Sequence, residues 1–309
     1  MYSRWFHVAV VLLWLSAMSW LIVKKVLPPL LIGEPPSYQT ILWAPERDPT
    51  VGWKIRLDRR ELGWSLSETS RIPGGMTEVG SRVHLDELPM KPIRKLGGLL
   101  GIDTGNAAVV ALVMDVETQL TIDSFGRLTH FRSDTRLNGS RDALVVDGAI
   151  NDGRLKLAVH SPAFSLPPLE MVLPEDALLD DALSPQTYLP GLRRGQTWTV
   201  PVPNPAMALL KAPLGEAPLE VLQATVERTE PVDFDGRIEE VWLVVYRRDS
   251  GSALGSSEEP QGKLWVRRDG AVLKQQATFL GQKITFVRMS DDELARLQSE
   301  LATDGDEEP

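Results

Sequence analysis

Residues 144–159 read LVVDGAINDGRLKLAV, and the way this stretch alternates decides the fold class. In its second half Leu155, Leu157 and Val159 fall on one side of an extended chain, while Arg154, Lys156 and, one step further, His160 fall on the other. That period of two is the mark of a half-buried strand. The stretch also holds two pairs of an acid followed by glycine, Asp147-Gly148 and Asp152-Gly153. The same idiom, an acid or Asn followed by glycine, recurs at Asn138-Gly139, Asp235-Gly236 and Asp269-Gly270. Such pairs tolerate positive φ and close tight antiparallel hairpins.

Working outward, LWVRRDGAVLKQQ (264–276) repeats the strand-turn-strand pattern, and TWTVPV (197–202) alternates in the same way. No long helical period interrupts these units, which excludes a parallel α/β architecture and predicts a mainly β fold built as one large antiparallel sheet. Two Pro-rich connections, 161–191 and 203–218, divide the strands into an earlier and a later group. The later group alone offers five or six strands, a modest sheet with edges to protect, so both groups are expected in one β-domain over 38–290. A Ser/Gly-rich loop covers 249–262. At the end, SDDELARLQSELA (290–302) opens on a capping box, Ser290 to Glu293, and sets Leu294, Leu297 and Leu301 on one helical face. A short amphipathic helix and an acidic tail are therefore expected over 291–309.

The amino-terminal stretch differs in kind. Residues 5–23, WFHVAVVLLWLSAMSWLIV, carry no formal charge and are bounded by Arg4 and by Lys24 with Lys25. At about 1.5 Å per helical residue they span roughly 28 Å, close to the hydrocarbon thickness of a bilayer. Trp5 and Trp20 lie near the ends, where indole rings favour the membrane interface. Ala17 and Ser19 have the spacing of a cleavage site, but the apolar run continues to Val23, so residues 1–25 read as an uncleaved single-pass anchor. The four prolines of VLPPLLIGEPPS (26–37) form a stiff stem between anchor and domain.

The net charge of −9 speaks against a nucleic-acid partner. Much of it is local: residues 291–309 contain eight acids and one base. The absence of cysteine removes disulfides, thiolate metal sites and cysteine nucleophiles, and no cofactor or metal is implied. Among four histidines, alternation puts His84 with Glu78 and Arg82, and His160 with Lys156, facing solvent, while His130 shares a face with Leu128. Two Asp-X-Gly sequences, Asp103-Thr-Gly and Asp249-Ser-Gly, have the form of an aspartic protease lobe. Asp249 follows two arginines and opens a Gly/Ser loop, and Asn106 follows Asp103-Thr-Gly where a small residue is usual. A chain that closes its hairpins with Asp and Gly needs no catalytic explanation for either. No G-x-S-x-G, P-loop, G-x-G-x-x-G or H-E-x-x-H is present, so a non-enzymatic role is expected, with a hydrolase acting through Asp103 as the outside alternative.

Two strands are apolar on both faces. In VWLVVY (241–246), Val241, Leu243 and Val245 face one way and Trp242, Val244 and Tyr246 the other; AAVVALVM (107–114) is similar. One reading is a central strand covered on both sides. The other takes Trp242, Val244 and Tyr246 as residues that face a ligand or partner across an apolar concave sheet.

LPGLRRGQTWTVPVPNP (189–205) and LWVRRDGAVLKQQATFLGQKITFVRMS (264–290) resemble segments of extracytoplasmic, membrane-anchored bacterial β-proteins, including accessory regions beside transglutaminase-like enzymes. These are similar in turn to the half-barrel class of LolA-type lipoprotein carriers. The resemblance implies a curved sheet, half-barrel or sandwich-like, with a helix against it and an apolar concave face. It also implies a bacterial inner-membrane location with the carboxy-terminal domain outside the cytoplasm, which Arg4 set against Lys24 and Lys25 does not decide. It carries over no catalytic triad, since that triad needs a cysteine. The function expected on these grounds is a membrane-anchored envelope binding or accessory protein that takes lipid or lipoprotein, or else a scaffold for a neighbouring membrane complex.

Overall fold

The structure is a computed structural model that describes residues 4–21, 49–58, 60–87, 113–138, 140–162, 164–165, 168–172, 185–203, 219–248, 259–279 and 282–305. Helix α1 is Arg4–Leu21. The earlier strands are β1 (Thr50–Leu57), β2 (Arg60–Ile72), β3 (Met76–Leu85), β4 (Met114–Ile122), β5 (Leu128–Leu137), β6 (Ser140–Asn151), β7 (Arg154–Ser161), β8 (Phe164–Ser165) and β9 (Leu169–Val172). The later ones are β10 (Thr197–Pro203), β11 (Leu219–Phe234), β12 (Arg237–Arg248), β13 (Gly262–Val266), β14 (Val272–Phe279) and β15 (Gln282–Arg288). Helix α2, Asp291–Gly305, follows.

Among the described residues, fifteen strands form one antiparallel sheet in the order β10-β11-β12-β13-β14-β15-β1-β2-β3-β4-β5-β6-β7-β8, with β9 also on β7. The earlier and later groups are thus two meanders, the end of the later one lying beside the start of the earlier one. Strand β1 pairs with β15 through Trp53↔Arg288, Ile55↔Phe286 and Leu57↔Ile284, so the first and last strands of the sheet meet in its middle.

Turn chemistry explains the hairpins. Asp152 and Gly153 adopt φ of 50° and 70°, and Asp235 and Gly236 adopt 51° and 71°. Paired left-handed residues of this kind match the twist of the strands they join. The Asp147-Gly148 pair does not make the turn that the sequence suggests, because β6 runs straight through it. Gly148 is there for packing: it lies opposite Phe131, and a Cβ on it would stand 2.0 Å from Phe131 Cε1. An aromatic ring laid over a strand glycine replaces the missing side chain.

Alternation sets the core. Trp53, Ile55, Phe286, Val226, Val244, Val266 and Val272 form one cluster on one face of the sheet, with members from β1 to β4 and from β10 to β15. Trp53 and Phe286 have no exposed surface, and each such large side chain contributes about 1.5–3 kcal/mol by leaving water. A second cluster, Val241, Leu243, Val245, Trp265 and Leu273, occupies the opposite face of β12–β14. Strand β12 is therefore buried on both faces, as its two-sided apolar sequence implies. Of the similar stretch 107–114, only Met114 lies within the described strands, at the start of β4.

The carboxy-terminal helix caps as expected. The Ser290 amide donates to Glu293 Oε2 at 3.2 Å, Glu293 forms an ion pair with Lys54 of β1, and Leu297 is buried. Gly52 makes room for this docking, since a Cβ there would stand 2.8 Å from Met289 Sδ and 3.0 Å from Leu294 Cδ1. The helix runs to Gly305, within the stretch 291–309 expected to hold it. Helix α1 covers most of the apolar run, although among the described residues no helix is long and apolar enough to cross a membrane. The run's last residues, Ile22 and Val23, and the stem at 26–37 lie outside the described residues.

Two glycines of adjacent strands give contrasting expectations. Gly63 has φ 149°, and a Cβ on it would meet the His84 carbonyl oxygen at 2.0 Å, whereas a Cβ on Gly80 meets nothing within 4 Å. In urea unfolding, Gly63→Ala is expected to destabilise the chain by about 2 kcal/mol or more, and Gly80→Ala to change it by less than about 0.5 kcal/mol.

Candidate functional site

The residues singled out on β12 are positioned by their ladder neighbours. Val244 pairs with Leu264 and Val226, has no exposed surface, and belongs to the main cluster. Trp242 and Tyr246 are half-buried and pack against the same cluster. Tyr246 lies between two small residues, Ala224 of β11 and Gly262 of β13, and its ring meets the edge of Trp198 of β10 at 6.5 Å and 87°. The three residues thus share one apolar face, but only Trp242 and Tyr246 keep surface through which to touch another molecule.

The same cluster contains polar atoms that the sequence pattern gives no means of finding. Among the described residues, Trp53 Nε1, Trp198 Nε1 and Ser65 Oγ are buried without a hydrogen-bond partner, and Trp53 and Ser65 are directly opposite on β1 and β2. An unsatisfied buried donor costs about 1–3 kcal/mol. From β2 to β5 the face continues as a row of small hydroxyls, Ser67, Ser81, Thr118 and Ser133 in register, with Thr118 Oγ1 and Ser133 Oγ 3.0 Å apart.

The opposite face of β2–β5 carries charge. There a groove of about 270 Å³ opens over Gly80, whose missing side chain forms the floor, between Glu68, Glu78, Arg82, Gln119 and Arg132. Gln119 Nε2 donates to Glu78 at 2.9 Å, and Arg132 grips Asp134 with two bonds at 2.9 and 3.0 Å.

Beside the groove, His84 is held on both nitrogens: Nδ1 lies 2.6 Å from Asp115 and Nε2 3.2 Å from Asp86, while the ring stacks on Trp64 at 5.7 Å. Burial pulls the imidazole pKa down, but the hydrogen bond and charge of Asp115, and then of Asp86, outweigh it and raise the pKa above 6.5. With a carboxylate on each nitrogen, the ring works as an electrostatic clasp between β3 and β4, and neither nitrogen is left to act as a base. His84 does share a face with Glu78 and Arg82, as alternation implies, but it is half-buried. His130 departs from expectation. The ladder pairs Thr121 with His130 and Ile122 with Leu128, so Thr129 is bulged and puts His130 and Leu128 on opposite faces. His130 then meets Asp147 at 3.3 Å across the charged face. Asp103 and Asp249 lie outside the described residues. Among the described residues, no group of three or more histidines and carboxylates has the geometry to hold a metal ion.

No known protein family matches the chain, and no curated protein does. Among solved structures, the chain is similar to a β-barrel-like protein of the domain of unknown function DUF1849 from Brucella abortus. That comparison gives 12% identity and a TM-score of 0.43 over 78% of this chain and 95% of the other. The neighbour is a bacterial β-protein, a broader likeness than the transglutaminase-accessory and LolA-type classes, and its description names neither.

The clasp makes a signed prediction. Because the folded pKa of His84 is raised, its stabilisation is complete below about pH 6.5 and is lost as pH rises through the folded value. His84→Gln should therefore lower the urea midpoint at about pH 6 and leave it nearly unchanged at about pH 9, a difference of at most about 1 kcal/mol for a half-exposed pair. Equal effects at both pH values would contradict the clasp.

Proposed function

We propose that this chain is a single-pass, membrane-anchored envelope protein whose β-sheet domain works as a binding or accessory module held close to a bilayer. The observation that carries the reading is the surface of α1. Val11, Leu13, Trp14, Leu15, Met18, Trp20 and Leu21 are all exposed, at 39–73%, and their positions cover well over half of the helix circumference, the remaining sector holding Leu12 with the small residues Ser16 and Ser19. A helix with an apolar surface of that width belongs in an apolar medium. The uncharged sequence 5–23 to which this helix belongs has the number of residues a bilayer core requires. The bacterial inner membrane, with the sheet outside the cytoplasm, is the location that the sequence resemblance supports.

For the bound partner, the reading assigns lipid or lipoprotein to the apolar face through Trp242 and Tyr246 at its accessible margin, with Val244 beneath as packing. The indole N–H of Trp198, beside Tyr246 and without a hydrogen-bond partner among the described residues, supports an occupant with a hydrogen-bond acceptor. The complete burial of Trp53, Val244, Val266 and Phe286 favours a second reading, a scaffold with a dry interior that presents its outer faces to a membrane complex.

One preparation tests both levels. Membranes washed with alkaline carbonate should retain the full chain and release the Leu13→Arg, Leu15→Arg double variant; release of the unaltered chain would overturn the anchor. Native mass spectrometry and organic extraction of the retained chain should find an apolar adduct that Trp242→Ala with Tyr246→Ala removes. A clean mass from the unaltered chain would exclude the ligand and leave the scaffold.

A further inference from the structure

In an antiparallel meander every second connection lies at the same end of the sheet. The chain enters β1 at Thr50, which pairs with Glu68, and β15 leaves at the same end, where Trp53 pairs with Arg288. Following the ladders outward places the β2–β3, β4–β5, β6–β7, β11–β12 and β13–β14 turns at this entry end. Outside α1, two large apolar side chains among the described residues are strongly exposed, Phe125 at 71% and Ile238 at 74%. Both stand at the entry end, Phe125 in the β4–β5 turn and Ile238 as the second residue of β12. The β11–β12 hairpin also projects there. Pairing of β12 with β13 stops at Trp242↔Val266, so Arg237–Val241 reach about 17 Å past the neighbouring strand.

Each exposed apolar residue has an arginine beside it. The Arg127 guanidinium lies 5.1 Å from the centroid of the Phe125 ring, and Arg237 immediately precedes Ile238. Arg71, Arg154 and Arg237, at three of these turns, form no ion pair among the described residues. Asp123, Asp152 and Asp235 share the turns, so the end is mixed in charge and the apolar pair, rather than a net charge, carries the inference. An apolar tip with a flanking guanidinium suits a phospholipid interface, where the tip enters the acyl boundary and the cation stays at the phosphates.

We propose that the entry end of the sheet docks on the surface of a phospholipid bilayer through Phe125 and Ile238, with Arg71, Arg154 and Arg237 on lipid phosphates and Arg127 held against the Phe125 ring by Asp123. The inference rests on the reading of residues 5–23 as a membrane anchor, but the anchor does not by itself impose it. The 26 residues 24–49 could span at most roughly 85 Å, so their number alone does not dictate which end of the sheet meets the bilayer. The tips do the orienting.

Because the chain has no cysteine, single cysteines can be labelled cleanly. Full chains carrying Phe125→Cys, Ile238→Cys, Leu13→Cys in α1, or Glu61→Cys at the far end would each take an environment-sensitive fluorophore. They would be reconstituted in vesicles of equal parts phosphatidylcholine and phosphatidylglycerol, with or without nitroxide on the acyl chains. The expected result is loss of fluorescence to the nitroxide at positions 125, 238 and 13, with position 61 unaffected. Quenching at 13 alone would overturn the docking and leave the anchor standing. Quenching at 125 and 238 without 13 would support docking and overturn the anchor, and no quenching anywhere would overturn both. A label at Ser124 should lose its quenching when Phe125→Ser and Ile238→Ser are introduced; unchanged quenching would assign the contact to the tether and overturn the role of the tips.

Discussion

The ladder between β1 and β15 is the constraint on which the rest depends. It joins residues more than two hundred positions apart, and without it the later group is a meander of six described strands and the earlier group a separate one of nine, each with a long open edge. Through it Trp53, Ile55 and Leu57 come beside Arg288, Phe286 and Ile284, and the most deeply buried side chains of both groups fall into one cluster. Helix α2 is tied to the same place. It follows β15 directly, lays Leu294 over Gly52, and binds Lys54 through Glu293. The Glu293 carboxyl is held below its ordinary range, first by the Lys54 hydrogen bond and then by the Ser290 amide, so this contact is strongest above the acid range.

A sheet whose first and last strands meet in its middle has its two faces specified separately. On one, apolar residues run from β10 to β4. On the other, β12–β14 hold a second apolar cluster in which Lys274 sits 4.6 Å over the Trp265 ring and Glu230 accepts the Trp265 indole N–H, whereas β2–β7 carry charges that pair across strands. The apolar face is the ground for a binding role, and the entry end, where the hairpin turns gather, is the ground for bilayer contact. Both functional readings therefore follow from one topology.

Period-two alternation made much of this legible in the sequence. The strands at 154–161 and 197–203, the turns at Asp152-Gly153 and Asp235-Gly236, the capping box of α2 and the two-sided burial of β12 all follow from local pattern. Asp147-Gly148 looked like a turn because the pair's local chemistry permits one; the Phe131 ring that fills the glycine's place is a long-range contact no local pattern shows. His130 and Leu128 changed faces because a bulge at Thr129 inserts one residue, and strict alternation cannot register an insertion. The pairing of β1 with β15, and the atoms of Trp53, Ser65 and Trp198 that lack a partner among the described residues, depend on which strands meet. That is the information a periodicity lacks.

The most direct measurement is native-state hydrogen exchange followed by mass spectrometry on the full chain. If the β1–β15 ladder holds the sheet together, amides in Trp53–Leu57 and Ile284–Arg288 are among the slowest to exchange, and they open together with β2–β4 and β11–β14 in one cooperative step. Rapid exchange of β1 and β15, with the two meanders opening independently, would contradict a single sheet closed at its centre by its first and last strands.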